Sequence, residues 1–431
     1  MTESRSLFAS AGSGSERFER ELQRLERRGD TDLARVDASV REVLAAVRQE
    51  GDRAVLRFVE RFEGRRPDPL VTQDYGGEQA LESLEPNLRG ALETAARRIR
   101  RYHQRQAEDL RSFEYTEGGA TLGSRVVPLR RVGVYAPGGK ARYPSTVLMC
   151  AVIAQVAGVE EIVVACPDPC VEVRAACHLS GVQSLLNAGG AQAIAALAYG
   201  TESLPRVDKI VGPGNIYVTA AKRLVFGEVA IDSIAGPSEI LVVADATADP
   251  QIVAADLLSQ AEHDEAAYAL LVTNSRDLLE AVRECLLAQL QTLPRRVIAE
   301  TSLQQHGFAF VVDTPDQLVS VANRLAVEHV AVQTADARRV ADAIQRAGAL
   351  FVGPQTPEAA GDYLAGPSHV LPTGGAARFS SPLGVYDFVA RSSVISYTQA
   401  ALEDQADAIT ALARIEGLEA HARAVEARRR G

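Results

Sequence analysis

Gln260 and His263 are residues of this chain whose types and spacing could do chemistry. Residues three apart lie on one side of a helix, so an amide oxygen and an imidazole nitrogen could converge and offer two neutral donors to a divalent cation. An isolated Gln and His at that spacing are more often solvated or capping residues, so the pair needs support from elsewhere. Acidic and histidine residues in similarly uncommon contexts do recur downstream, at Glu328-His329, Asp362, His369 and His421. Taken alone, Glu328-His329 reads as a surface pair at a strand start.

The element that must position Gln260 and His263 is the stretch 249–264, DPQIVAADLLSQAEHD. Asp249 can accept the free amide protons of a first helical turn, and Pro250 is tolerated at the first helical position, so a helix is predicted to start there. Ile252, Val253, Leu257 and Leu258 recur at helical spacing and leave a narrower polar face for Gln260 and His263.

At 431 residues the chain is long enough for two or three domains, and 46% apolar residues make it globular. The longest apolar run, residues 146–154 (TVLMCAVIA), is too short to span a bilayer. The first 21 residues carry no hydrophobic signal region. A soluble, cytoplasmic protein with no membrane partner is expected. Five cysteines, an odd number, point to reduced thiols, and Cys166 and Cys170 lack the second pair of a structural zinc site. The formal charge of −10 argues against a nucleic-acid partner, which would need a basic face to displace counterions. Small-molecule chemistry is the expectation. Of 46 basic residues only Lys140, Lys209 and Lys222 are lysine, a bias ascribed to codon usage.

Residues 15–110 are charge-rich with helical periodicity, and their charged faces show no convergent chemistry; His103 reads as a solvated helix residue. Residues 113–128 alternate around Gly118-Gly119 as a strand pair. From Val132 short β-rich runs alternate with helical ones, the rhythm of a parallel sheet with helices on both faces. In such sheets ligands sit beyond the carboxyl ends of strands, at glycine-rich loops. Loops 136–143, 187–192 and 212–215 qualify, but none is G-x-G-x-x-G or a P-loop, so dinucleotide binding is permitted rather than demonstrated. A second α/β series follows Ile231, so two doubly wound α/β domains in tandem are expected, with a cleft between them. The Pro/Gly-rich stretch 353–384 reads as ordered loops of the kind that carry sites. From Thr398 the tail is two amphipathic helices broken at Gly417, with too little apolar surface to fold alone; Arg428, Arg429 and Arg430 form a cationic helix end. Asp232 and Glu239 read as structural carboxylates that accept backbone amide protons.

Residues 231–263, IDSIAGPSEILVVADATADPQIVAADLLSQAEH, resemble the signature of the histidinol dehydrogenase family. VGVYAPGGKARYPSTVLM, KIVGPGNIYVTAAKR, AGDYLAGPSHVLPTGGAARFSSPLGVYDF and EGLEAHARAV resemble further blocks of that family in the same order, so the likeness runs from about Val40 to the C-terminus. The resemblance implies one zinc ion per subunit held by Gln260, His263, Asp362 and His421, and an acid/base pair of Glu328 and His329. It places Ser238, His369 and Glu416 at the substrate, with the zinc ligands and His329 also touching it, and Tyr135, Gln192 and Asn215 at NAD. It also implies a homodimer in which the tail bearing Glu416 and His421 is exchanged between subunits.

The organisation expected on this basis has an N-terminal helix at 1–25 packing on the catalytic domain, a helical lobe at 26–110 and a strand pair at 111–131 joining the catalytic domain. An NAD-binding α/β domain at 132–236, a catalytic zinc α/β domain at 237–384 and a dimerisation tail at 385–431 complete it. Two positions depart from the family pattern: Val327 stands where proline is usual, and Ser368 where asparagine is usual. The implied activity is four-electron oxidation of an amino alcohol, L-histidinol, to L-histidine with two NAD, the last step of histidine biosynthesis. The residue types suit it: His329 as the base that takes the alcohol proton, Glu328 to activate water, and a mixed nitrogen and oxygen site that zinc accepts. The same residues would also serve a zinc hydrolase, and a non-catalytic binding module would leave the glycine loops as mere turns.

Overall fold

Runs of Val, Ile, Leu and Ala bounded by glycine turns fold into two parallel sheets, because helices cover both faces of each and leave the strands no polar side. The structure, a computed structural model, describes residues 7–29, 33–138 and 143–429. Lys140, Arg430 and the middle of the glycine loop 136–143 thus lie outside the described residues.

In the first sheet Arg131–Tyr135 lies at the centre, between Glu161–Ala165 and Lys209–Val211. Ser184–Leu186 and Ala230–Ile231 flank these, and Val71–Thr72 adds an antiparallel edge. In the second sheet Glu239–Ala244 lies between Tyr268–Thr273 and His329–Gln333, with Phe308–Val311 and Ala349–Val352 outside them. Counted in order of appearance, the five parallel strands from Arg131 and the five from Glu239 each run 3-2-1-4-5 across their sheet. A further parallel strand at the second sheet's edge, Ala9–Gly12, comes from the N-terminus, where only a helix was expected. That helix, Glu16–Glu26, follows and sets Phe18 edge-on against Phe310 at 5.1 Å between ring centroids.

Helix Pro250–Ala261 starts as its sequence dictates, with the Asp249 side chain accepting from the Gln251 amide at 2.8 Å. Val253, Ala254, Leu257 and Leu258 are buried and press the helix onto the second sheet. It ends earlier than the spacing implied. The Glu262 and His263 amides close a turn on Leu258 and Gln260, so Gln260 is fully buried on the helix while His263 lies exposed just past it.

Helices Ala34–Glu50, Asp52–Glu63, Gly77–Ser83 and Pro86–Ala107 pack on the first sheet's helices. His103, expected in solvent, is 1% exposed: its Nδ1 meets Gln106 Oε1 at 3.0 Å and its ring stands edge-on to Tyr102. Its helix is covered by residues 384–388, a long-range contact that local periodicity does not report. The expected strand pair forms as Phe113–Glu117 with Ala120–Pro128, and gains a third strand, Val389–Tyr397, along its whole length. Helices Gln399–Ile415 and Glu419–Arg429 then pair with each other across Gly417, whose φ of 76° favours glycine. Helix Arg296–His306 was not foreseen.

Asp232 accepts from the Gly212 amide at 2.7 Å and pairs with buried Lys222, which also donates to the Gly212 carbonyl. Lys209 likewise reaches the Asp387 carbonyl and carboxylate. A compact ammonium serves a carbonyl and a carboxylate at once, which suits lysine to these two positions.

Asp249→Ala should destabilise the protein by about 1 kcal/mol in denaturant unfolding, with Asp249→Asn restoring most of it; equal midpoints for all three chains would deny the cap its role.

Candidate active site and dinucleotide cleft

The second sheet's ladder pairs Ile240 with His329, so Glu239, Glu328 and His329 meet at the amino ends of two adjacent strands. The expected placement was beyond carboxyl ends. Around Glu239 the main chain serves both neighbours: its amide donates to Glu328 Oε2 at 2.9 Å, and its carbonyl lies 3.0 Å from His329 Nδ1. A carbonyl can only accept, so Nδ1 carries the proton and Nε2 is left as the basic nitrogen. Nε2 is buried without a hydrogen-bond partner among the described residues, and the nearest carboxylate oxygen recorded for it is Asp362 Oδ1 at 3.9 Å.

Three acids surround this imidazole. Glu358 Oε1 and Glu328 Oε2 lie 3.5 and 3.7 Å from His329 Nδ1. Ligand atoms of His263, Glu358 and Asp362 lie within 4.8 Å of one another. The Gln260 amide fits this network with its nitrogen 3.1 Å from the Glu239 carbonyl and 3.2 Å from Glu358 Oε1, which take its two protons, and 3.1 Å from His329 Nδ1, which as an N–H accepts none. His369 Nδ1 donates to the Asp362 carbonyl at 3.0 Å, and its Nε2 lies 3.4 Å from Thr146 Oγ1. Ser238 is half-buried immediately before Glu239, and its carbonyl accepts from Tyr268.

The electrostatics of the cluster favour a cation. Burial, then the charges of Asp362 and Asp256, raise the Glu358 carboxyl well above its usual range; burial alone brings Asp362 up to about 6. Burial and the neighbouring Glu239 charge push Glu328 up strongly. Burial holds His329 down to about 3, against the opposing bond to Glu239, and His369 down to about 4. Among the described residues no lysine or arginine pairs with Glu358 or Asp362. Imidazole, amide and carboxylate donors with no positive partner fit a divalent ion such as zinc. Glu416 and His421 lie exposed on the tail, and no hydrogen bond or ion pair joins them to the cluster among the described residues.

Sequence reasoning missed Glu358, although it stands four residues before Asp362 on helix Glu358–Tyr363, the spacing that aligns side chains on one face. The two family departures are accommodated. Val327 is buried with its carbonyl bonded to Gly348, and the Ser368 hydroxyl is satisfied by the Met149 carbonyl and the Val370 amide.

Tyr135, Gln192 and Asn215 line a separate cleft of about 460 Å³ at the carboxyl end of the first sheet. It shares no lining residue with the histidine and carboxyl cluster. Its other wall is built by Ser39, Phe58, Phe62 and Glu63, from helices whose faces were read as chemically silent. The Tyr135 hydroxyl accepts from the Gly190 amide at 3.0 Å. Glu63 Oε1 accepts from the Gly189 amide and from Gln192 Nε2. Asn215 caps helix Ile216–Val225 through the Tyr217 and Val218 amides. A half-apolar cleft with a stacked Phe58–Phe62 pair, 5.7 Å between centroids, suits a flat heterocycle such as a nucleobase.

Comparison with known proteins gives one consistent family. The family profile described as histidinol dehydrogenase matches residues 26–429. Histidinol dehydrogenase of Parasynechococcus marenigrum is 49% identical, covering 99% of this chain and all of the relative. That of Aquifex aeolicus is 49% identical over 95% of this chain and 96% of its own. A crystal structure of histidinol dehydrogenase from Elizabethkingia anophelis superposes with a TM-score of 0.91 at 32% identity, over 98% of both chains.

If the cluster holds one divalent ion, His263→Ala should leave the purified protein with well under one equivalent of metal by elemental analysis. Full retention would remove His263 from the site.

Proposed function

Since the chain belongs to the histidinol dehydrogenase family, oxidoreductases of the last step of histidine biosynthesis, we propose that it oxidises L-histidinol to L-histidine through the aldehyde. Two NAD are consumed, and one zinc per subunit is held by Gln260, His263, Asp362 and a His421 contributed by a second copy. The observation that carries this reading is the His329 imidazole, fixed with its proton on Nδ1 and its Nε2 lone pair buried and free beside Asp362.

Gln260, His263, Asp362 and the second copy's His421 would hold zinc, which would position the substrate, and the Tyr135, Gln192 and Asn215 cleft would hold NAD, which would supply the hydride acceptor for each half-reaction. The protein's own residues manage the protons. His329 is neutral at physiological pH and takes the hydroxyl proton on Nε2; the carboxyl groups of Glu358, Glu328 and Asp362, all within 4 Å of the ring, ionise more readily beside the imidazolium that results and so stabilise it. Burial raises the proton affinity of Glu328, so its carboxylate is a stronger base towards a bound water than an exposed glutamate and suits hydration of the aldehyde. His369, Ser238 and Glu416 complete the substrate contacts. We read the two parallel sheets as two doubly wound domains, one for dinucleotide and one for metal.

The tail supports a homodimer with exchanged ends. Ile395, Leu412 and Ile415 are 67%, 66% and 84% exposed on a segment with few apolar contacts of its own, and a second copy would cover them. No helix among the described residues is long and apolar enough to cross a membrane, and a biosynthetic dehydrogenase is expected in the cytoplasm.

Protein mixed with zinc, histidinol and excess NAD should form two NADH per histidinol by near-ultraviolet absorbance, whereas a hydrolase or a binding module would leave the trace flat. Glu328→Gln should slow aldehyde oxidation more than alcohol oxidation; equal slowing would undo its assignment. Co-refolding a His421→Ala chain with a His329→Ala chain should restore part of the activity, and no recovery after verified subunit exchange would place each site within one chain.

A further inference from the structure

A buried ion pair lies directly behind the acid/base residues and is used by none of the chemistry above. Arg28, just past helix Glu16–Glu26, sends Nε and Nη2 to the two carboxylate oxygens of Glu239 at 2.8 and 2.7 Å, and Nη1 to the Leu25 carbonyl at 2.7 Å. Both side chains are 1% exposed. Taking two charges out of water is poorly repaid as stability, while the two-pronged geometry fixes the carboxylate in position and in plane. Glu239 Oε1 also accepts from the Gly374 amide at 2.8 Å, and a Cβ on Gly29 would collide with the Gly374 carbonyl. The N-terminal segment, the loop after His369 and the start of the central strand are therefore locked together at one residue, the one whose amide and carbonyl hold Glu328 and His329.

We propose that Arg28 and Glu239 are positioning residues for the oxidation: their ion pair fixes the main chain of residue 239, and through it the Glu328 carboxyl and the His329 tautomer and ring. The inference rests on the reading of Glu328 and His329 as the acid/base pair. It makes the chain's N-terminal segment part of the catalytic apparatus without contact to substrate. Arginine is required, because lysine offers a single point charge in place of the fork.

Removing one partner alone would strand a buried charge, so the test uses the neutral pair Arg28→Met with Glu239→Gln in the full-length, zinc-loaded protein, alongside Arg28→Lys. The double variant should keep its melting temperature, its zinc content and the KM for histidinol and NAD, while kcat falls by about 100-fold, the scale of an ångström-sized misplacement. Arg28→Lys should recover little of that loss. An unchanged kcat in the folded double variant overturns the inference, as does a loss of kcat in step with zinc or KM. A wild-type protein inert towards histidinol and NAD would instead remove the functional reading. In that event a crystal structure of the double variant decides: a His329 ring displaced from the residue-239 carbonyl supports the inference, and a ring still bonded to it overturns it.

Discussion

The parallel register between Glu239–Ala244 and His329–Gln333 is the constraint on which the site depends. Side chains along a strand alternate between faces, so a one-residue slip would turn His329 to the opposite side of the sheet and offer its ring no carbonyl. In the observed register the Glu239 carbonyl meets His329 Nδ1 and the Glu239 amide meets Glu328. Ile240 to Ala244 are wholly buried, and that apolar ladder cannot slip without exposing one face's packing to the other. The precision of the geometry around His329 is thus borrowed from the hydrophobic core.

Burial then sets the chemistry. In a low-dielectric pocket an imidazole resists protonation and carboxyls resist ionisation, so His329 stays neutral while Glu358, Asp362 and Glu328 hold protons more tightly than usual. A divalent cation reverses this for the carboxyls by replacing lost hydration with direct coordination. The burial that makes the cluster costly is what a bound cation would relieve. Thr146 and Ser368, beneath His369, are polar residues satisfied within the protein and leave His369 anchored on the Asp362 carbonyl.

The two sheets use opposite ends. In the first, Tyr135 ends the central strand and opens onto the cleft, with Gly189 and Gly190 amides already answered by Glu63 and the Tyr135 hydroxyl. The amides at a helix start that often greet a phosphate are filled internally here, so whatever occupies this cleft is recognised chiefly by its flat apolar part and the rim. In the second sheet the histidine and carboxyl cluster lies at the amino ends, fed by the loop 353–384 and by helix Pro250–Ala261.

Much of this was legible in the residues. The cap at Asp249, the strand pair split by Gly118-Gly119, the α/β rhythm from Val132 and the paired tail helices all follow from local propensity and period, and the structure keeps them. Family likeness singled out Gln260, His263, Asp362, Glu328 and His329, which do converge. Glu358 carried a usable signal in its spacing from Asp362. Ala9–Gly12 and Val389–Tyr397 did not, since edge segments become strands only when a partner's ladder accepts them. His103 carried none either, because its burial is imposed by residues nearly 300 positions away.

Arg28 and Glu239 show the limit most clearly. They are 211 positions apart, each unremarkable among 46 basic and 56 acidic residues, and their pairing exists only once the edge helix has docked on the sheet. The sequence by itself determined the element types, the apolar ladders and the kinds of donor available, because those rest on interactions between near neighbours. Tertiary structure alone decided which donors face one another, how far each is shielded from water and hence which nitrogen of His329 is free, because desolvation and long-range contact have no local signature.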